Sequence, residues 1–206
     1  MTALPELKVT VYSDYICPFC YLGHHRLQKL KDSYELKINW CFLEIHPELS
    51  AQGDDIEALD YSSEHWQQLL TNLRRIAEEE GVTLNEPAFI TNSRDALLLA
   101  EAGKQCGREI FYRLHEALFA AYFVDGRNIG SRDVLRDIAA DSGVDAHLIE
   151  SAWTDDAFAQ RLSGNYHSAR QHDIESVPAF VFGNRVINGV LPETEFRRAA
   201  RDMNRP

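Results

Sequence analysis

Two cysteines separated by two residues are the part of the sequence best suited to chemistry. Cys17 and Cys20 enclose Pro18 and Phe19, close to the N-terminus of the 206-residue chain. A helix N-terminus favours the nucleophilic thiolate through unpaired backbone N–H groups and the positive end of the helix dipole. If a helix begins here, Cys20 lies within reach of Cys17. We therefore expect Cys17 to be the exposed, attacking sulfur and Cys20 the more buried, resolving sulfur.

The alternative for this pair is half of a zinc site. A structural zinc ion needs four ligands, usually from two such pairs or from one pair and two histidines. Cys41 and Cys106 are isolated in the sequence, and His24 and His25 follow the pair on the same expected helix. We therefore predict no metal site. Cys41 and Cys106 are expected to be free thiols that pack as small apolar side chains, and a regulatory disulfide between them is the open alternative.

The elements that must position the pair follow from the hydrophobic pattern. Residues 7–13 and 36–43 alternate apolar and polar side chains and are predicted strands. A helix from Cys17 to about Lys31 lies between them, and Pro18 suits its first turn because proline lacks the N–H that would be unpaired there. The order strand, helix, strand predicts a βαβ unit with a parallel pair of strands.

The middle of the chain shows only helical patterns. Between Glu48 and Gln171 we predict six helices, one of them capped by Ser62 or Ser63 and ended by Gly81. This block therefore resembles a helical insertion. The predicted helices cover residues 61–80, 93–104, 110–123, 131–141, 146–153 and 155–171.

Strand patterns return near the C-terminus. Residues 177–182 and 185–189 flank Gly183-Asn184 and predict a hairpin, followed by a helix from Pro192 to about Arg201. Pro178 is unusual in this position, because a proline inside a central strand cannot donate to the ladder. A cis Val177–Pro178 bond at the start of the strand would remove the conflict, although most such bonds in folded proteins are trans.

Four segments, in this order along the chain, resemble the DsbA-like proteins of the thioredoxin superfamily and, among them, the FrnE-like branch. The resemblance implies a thioredoxin-like α/β fold, with a central mixed sheet and flanking helices. Residues 1–47 and 172–206 would form this fold, interrupted by an all-helical domain at 48–171. It also implies that Pro178 is cis and faces the cysteine pair. The four segments are residues 11–23, 43–47, 118–130 and 177–183, the last followed by Gly189 and Pro192.

The resemblance implies thiol–disulfide oxidoreductase activity on protein or small-molecule substrates, with disulfide isomerase activity as a further expectation. The Cys17 thiolate would attack a disulfide, or the oxidised pair would accept electrons from a dithiol, and Cys20 would resolve the mixed disulfide. We expect no resident cofactor, with glutathione as a candidate co-substrate. The expected site residues are the catalytic Cys17 and Cys20, the active-site loop residues Pro18 and Phe19, and the substrate-binding residues Tyr15, Val177 and Pro178.

Two other functions stay open on the same scaffold. One is a glutathione-dependent transferase or isomerase, similar to kappa-class glutathione transferases and 2-hydroxychromene-2-carboxylate isomerases. Proteins of that branch carry serine at the first cysteine position, whereas this chain has Cys17 and Cys20. The other is a non-catalytic module that binds clients through its helical domain.

Composition excludes several further classes of function. The chain has 21 basic and 32 acidic residues, a net charge of −11, so we expect no nucleic-acid partner. No run of 18 apolar residues is present, which predicts no membrane span. The N-terminal residues do not resemble a secretory signal, which favours a cytoplasmic location. The oligomeric state is open, with a dimer through the helical block as one option.

Overall fold

The computed structural model describes residues 4–59, 61–85 and 88–203. A four-stranded mixed sheet lies at its centre. Its strands are β1 (Glu6–Ser13), β2 (Glu35–Phe42), β3 (Ala179–Phe182) and β4 (Arg185–Asn188). The spatial order is β2-β1-β3-β4: β1 pairs in parallel with β2 and antiparallel with β3, which forms a hairpin with β4. The predicted parallel pair and the predicted hairpin are both confirmed.

Eight α-helices in the described ranges accompany the sheet, and six of them lie between β2 and β3 in the chain. Their bounds agree with the predicted ones to within two residues, except that the first helix tightens into a 3-10 turn at Lys29–Asp32. None of these helices combines the length and the hydropathy needed to cross a bilayer. The helices are α1 (Pro18–Gln28), α2 (Ser63–Glu80), α3 (Arg94–Gly103), α4 (Arg108–Phe123), α5 (Arg132–Asp141), α6 (Ala146–Ser151), α7 (Asp156–Gln171) and α8 (Glu193–Met203).

Local chemistry explains where the longest helix begins and ends. The Ser62 side chain accepts a hydrogen bond from the His65 N–H at 3.2 Å, which satisfies one of the unpaired donors at the start of α2. Gly81 ends the helix with a left-handed φ of 67°, a conformation that costs glycine little. Both features are the predicted ones.

The sheet buries different residues on its two faces. Val9 and Val11 of β1 belong to a large apolar cluster that continues into Leu114 and Phe119 of α4. Tyr12 faces the other side, in a smaller cluster that includes Cys41 and Ala169. The large cluster is continuous from the sheet to the helices between β2 and β3. The division into a domain of residues 1–47 and 172–206 and an inserted domain of residues 48–171 stays a prediction.

Gly23 lets α1 lie directly against β3. A Cβ atom at this position would stand 2.7 Å from Cζ of Phe180 and 3.5 Å from Cγ of Pro178. Phe180 is fully buried, and close packing in a protein interior leaves little room for such a ring to move. The absence of a side chain at Gly23 therefore sets the distance between the cysteine-bearing helix and the strand that follows Pro178.

We expect Gly23→Ala to lower the free energy of unfolding by about 1–3 kcal/mol, because overpacking outweighs the better helix propensity of alanine. Gly164 is the matched control, since it also lies in a helix but has no atom within 4 Å of an added Cβ. Gly164→Ala should raise the free energy of unfolding by up to about 1 kcal/mol. Urea denaturation measures both values, and equal effects at the two positions would contradict this interpretation.

Candidate active site

Cys17 occupies the N-cap position of α1, and Pro18 begins the helix as predicted. The Cys17 carbonyl accepts the N–H groups of Cys20 at 3.0 Å and Tyr21 at 3.3 Å, which closes the first turn. This turn places Cys20 next to Cys17, and the charge of Cys17 acts on the Cys20 thiol. The two side chains are therefore neighbours on the first turn of α1.

Cys17 is more buried than predicted, whereas Cys20 is buried as predicted. Cys17 is 6% exposed and Cys20 is 2% exposed. The expectation of an exposed Cys17 is wrong, because the walls of a cavity surround its side chain. The order of burial holds: Cys20 is the deeper residue. Burial, followed by the neighbouring Cys17, raises the pKa of the Cys20 thiol well above its usual value, so Cys20 stays protonated at neutral pH.

The Val177–Pro178 peptide lies opposite the pair, and its bond is cis. Sγ of Cys17 is 3.8 Å from the Val177 carbonyl oxygen, within hydrogen-bonding range for a thiol donor. The Pro178 carbonyl accepts the Gly189 N–H at 2.8 Å, and β3 begins only at the next residue. Pro178 is thus outside the strand it precedes, which removes the conflict between proline and a strand ladder.

Asp14 is a fully buried acid beside the pair that the sequence pattern did not reveal. Its backbone N–H donates to Sγ of Cys20 at 3.4 Å. Its carboxylate accepts the N–H of Ile45 at 2.9 Å, the hydroxyl of Ser93 at 2.9 Å and the N–H of Ile16 at 3.3 Å. Burial raises the pKa of Asp14 to about 6, although these three hydrogen bonds act in the opposite direction. Asp14 therefore joins the cysteine turn to two distant segments.

One signal in the sequence could have identified Asp14. It is an acid between a buried strand and a reactive pair, where the neighbouring side chains are mostly apolar. Acidic residues are almost never fully buried without partners. Two of its partners, Ile45 and Ser93, lie 31 and 79 positions further along the chain, and no local pattern indicates them.

Tyr15 does not contact the substrate side of the site, and its predicted substrate-binding role is wrong. The side chain is fully buried. Its hydroxyl bonds to Nδ1 of His115 at 2.8 Å, and its ring packs against Phe119 at a centroid distance of 4.8 Å. His24 lies on the same core cluster, where burial lowers its pKa to about 3. Tyr15 therefore supports the cysteine turn from within the core.

A cavity of about 610 Å³ opens beside Cys17. Apolar side chains of α2 form one wall, and residues from the segment after β2 and from the end of α4 form another. Cys17, Pro18, Phe19 and Val177 all line this space, so four of the predicted site residues share one surface. The main apolar side chains in the walls are those of Ile45, Leu49, Trp66, Leu69, Leu70 and Phe123.

The other two cysteines lie apart from this surface. Cys41 belongs to the small cluster behind the sheet, and Cys106 packs at the edge of the large one. All four cysteines are free thiols. In the described part of the chain, no three His, Cys, Asp or Glu side chains stand close enough together to hold a metal ion.

The chain matches a known protein family and known relatives over most of its length. The family model described as "DSBA-like thioredoxin domain" matches residues 8–200. Over 204 residues the chain is 31% identical to the uncharacterized protein YwbO of Bacillus subtilis, covering 95% of this chain and 96% of that protein. It is 26% identical over 187 residues to 2-hydroxychromene-2-carboxylate isomerase of a Pseudomonas species, with 86% and 82% covered.

Solved structures share the fold at lower identity. A probable DsbA oxidoreductase from Streptomyces coelicolor aligns with a TM-score of 0.85 and 22% identity, covering 98% of this chain and 92% of that one. The cytosolic disulfide reductase DsbM from Pseudomonas aeruginosa, solved with GSH, aligns with a TM-score of 0.68 and 15% identity, covering 96% and 95%. The expected thioredoxin-like α/β fold is confirmed.

Asp14→Asn should change how stability depends on pH. The folded protein keeps a proton on Asp14 up to its pKa of about 6, whereas the unfolded chain releases it near the ordinary pKa of 3.8. Between these values the folded state binds more protons, so the contribution of Asp14 to stability falls as the pH rises through the window. We expect the wild type to lose up to about 3 kcal/mol relative to Asp14→Asn between about pH 4 and pH 7. Urea unfolding across this range measures the difference, and parallel curves would contradict the assignment.

Proposed function

Because the chain belongs to the DSBA-like thioredoxin domain family, we propose that it is a thiol–disulfide oxidoreductase that works through Cys17 and Cys20. One observation carries the proposal: the two cysteines lie on the first turn of α1, with Cys17 on the wall of a substrate-sized cavity. The assignment to the FrnE-like branch stays a prediction.

In the reducing direction, the Cys17 thiolate attacks one sulfur of a substrate disulfide. A bond forms between Cys17 and that sulfur, the substrate S–S bond breaks, and the second substrate sulfur leaves as a thiolate that takes up a proton. Cys20 then loses its proton and attacks the Cys17 sulfur, which forms the Cys17–Cys20 disulfide and releases the remaining substrate thiol. Two electrons pass to the substrate, and one molecule of a dithiol or two molecules of a monothiol such as glutathione restore the pair. The reverse sequence oxidises a dithiol.

The surroundings of Cys20 suit its role in the second step. Burial keeps Cys20 a thiol, so it does not compete with Cys17 for the incoming disulfide. When Cys20 deprotonates, the Asp14 N–H at 3.4 Å is in place to stabilise the charge on its sulfur. We assign Asp14 the role of a positioning residue, because its carboxylate holds the cysteine turn while its N–H faces the resolving sulfur.

The residues around Cys17 support contact with a substrate. Phe19 and Val177 line the cavity on either side of the sulfur. The Val177 carbonyl is free of the strand ladder and close to Cys17, so we propose that it binds the substrate next to the reacting disulfide. Cys17 and Cys20 carry the two electrons by changing between the dithiol and the disulfide, so the proposal includes no resident cofactor.

A cytoplasmic location is part of the proposal. It is supported by the likeness to DsbM, which is described as a cytosolic disulfide reductase. Glutathione is the proposed small-molecule reductant in that compartment, since the DsbM structure contains GSH.

A second candidate function is a glutathione-dependent isomerase. The 26% identity to 2-hydroxychromene-2-carboxylate isomerase favours it. The presence of two neighbouring thiols at the start of α1 favours redox chemistry over isomerisation. The two functions differ in whether Cys17 is needed as a nucleophile.

We expect Cys17→Ser to lose disulfide reduction, measured as insulin reduction with dithiothreitol, because the attacking sulfur is gone. Cys20→Ser should retain the attack and accumulate a mixed disulfide at Cys17, which intact-protein mass spectrometry detects. Cys106→Ser is the matched control and should keep wild-type activity, since this thiol does not line the cavity.

Equal insulin reduction by the wild type and Cys17→Ser would sink the oxidoreductase proposal. Glutathione-dependent isomerisation of 2-hydroxychromene-2-carboxylate that persists in Cys17→Ser would favour the second candidate instead.

A further inference from the structure

We propose that the substrate of the Cys17–Cys20 pair is a small apolar disulfide, or the corresponding thiol, held between Cys17 and the first half of α2. This inference rests on the proposed thiol–disulfide function and adds the chemical class of its substrate. It follows from the apolar face of α2, the way this helix is anchored, and the polar groups around the cavity.

The apolar stripe of α2 is covered by protein along only half of its length. In the second half of the helix, Leu73, Ile76 and Ala77 are buried against Leu22 of α1. In the first half, the corresponding side chains are only partly buried and face the cavity beside Cys17. A contiguous apolar surface in contact with water is unfavourable and commonly marks a binding site. The uncovered part of the stripe consists of Trp66, Leu69 and Leu70, preceded by Tyr61, which is 43% exposed.

An ion-pair network holds α2 in this position. Arg26 of α1 has a side chain only 3% exposed and donates to Glu80 at 2.6 Å and to Glu79 at 3.0 Å, both at the end of α2. It also donates to the Leu191 carbonyl at 2.6 Å. Breaking a buried ion pair by losing one partner is costly, so this end of α2 stays attached to the helix that carries Cys17. The second half of α2 is therefore fixed relative to the helix that carries Cys17, and the first half continues from it as one helix.

Three of the polar residues at the cavity, Glu44, Tyr166 and His46, already have partners within the protein. The Glu44 carboxylate accepts from Asn92 at 2.9 Å and from Arg94 at 3.2 Å. The Tyr166 hydroxyl donates to the Glu44 carbonyl at 2.8 Å. His46 bonds to Glu48 at 2.9 Å. Most of the side chains that line the cavity are apolar, so we expect apolar contact to supply most of the energy of binding.

The position of Cys17 favours a small molecule over a protein. A side chain that is 6% exposed at the wall of a cavity is more accessible to a small molecule that enters the cavity than to a disulfide on the surface of a folded protein. A volume of about 610 Å³ lies within the range typical of small-molecule sites.

The test compares two disulfides of nearly equal size and S–S reactivity. Dipropyl disulfide is apolar, and bis(hydroxyethyl) disulfide replaces each terminal methyl group with a hydroxyl. The reduced wild-type protein is mixed with each, and the loss of its thiols is followed by alkylation and mass spectrometry, with rates divided by those of free dithiothreitol. We expect the normalised rate for dipropyl disulfide to be higher by about tenfold or more, because the hydroxyl groups lose water without gaining partners.

Variants of α2 test whether this helix causes the preference for the apolar disulfide. Trp66→Ala and Leu69→Ala should each lower the ratio of the two rates by about fivefold, since each removes apolar contact area. Gln67→Ala is the matched control, because Gln67 is exposed on the same helix and does not line the cavity, and it should leave the ratio unchanged. Leu69→Ala decides the question if Trp66→Ala does not fold, which circular dichroism reveals.

The outcomes separate this inference from the proposed function. Equal normalised rates for the two disulfides, both dependent on Cys17, would overturn the apolar substrate and leave the oxidoreductase function standing. No reaction of Cys17 with either disulfide or with insulin would overturn the function itself. A larger effect of Trp66→Ala on insulin reduction than on dipropyl disulfide would overturn the inference in favour of a protein substrate.

Discussion

The buried carboxylate of Asp14 is the interaction on which the site depends. It receives hydrogen bonds from the cysteine turn at Ile16, from the segment after β2 at Ile45 and from the start of α3 at Ser93. A buried polar network of this kind specifies one arrangement, because each donor would be left unpaired in any other. The raised pKa of Asp14 records the desolvation that this arrangement costs. The reactive turn is thereby attached to both the sheet and the helical block.

Helix α1 connects the cysteine turn to the other parts of the site. Its N-terminus presents Cys17, and its middle lies against β3 because Gly23 has no side chain to meet Phe180. Its buried Arg26 holds the end of α2 through Glu80. Helix α1 thus carries the nucleophile, packs against the strand that follows the cis peptide bond, and holds the helix that forms a wall of the cavity. Small changes on any face of α1 are expected to move the sulfur relative to its substrate.

Several features could be predicted because they depend on residues close in sequence. The alternation in β1, the cap at Ser62 and the glycine stop at Gly81 act over a few residues and appear in the structure as expected. The pair of Cys17 and Cys20 belongs to the same class, since one helical turn brings its sulfurs together. Packing and capping rules apply locally, so a single sequence is sufficient to place these elements.

The sequence by itself determined the strand and helix order, the reactive pair and, through its resemblance to a known family, the fold around them. The tertiary structure decided which side chains reach the substrate. Tyr15 and Cys17 stand two residues apart, yet one is sealed in the core and the other lines a cavity. The same holds for Asp14, whose partners lie far along the chain. Burial depends on contacts between distant segments, and only the folded chain brings those segments together.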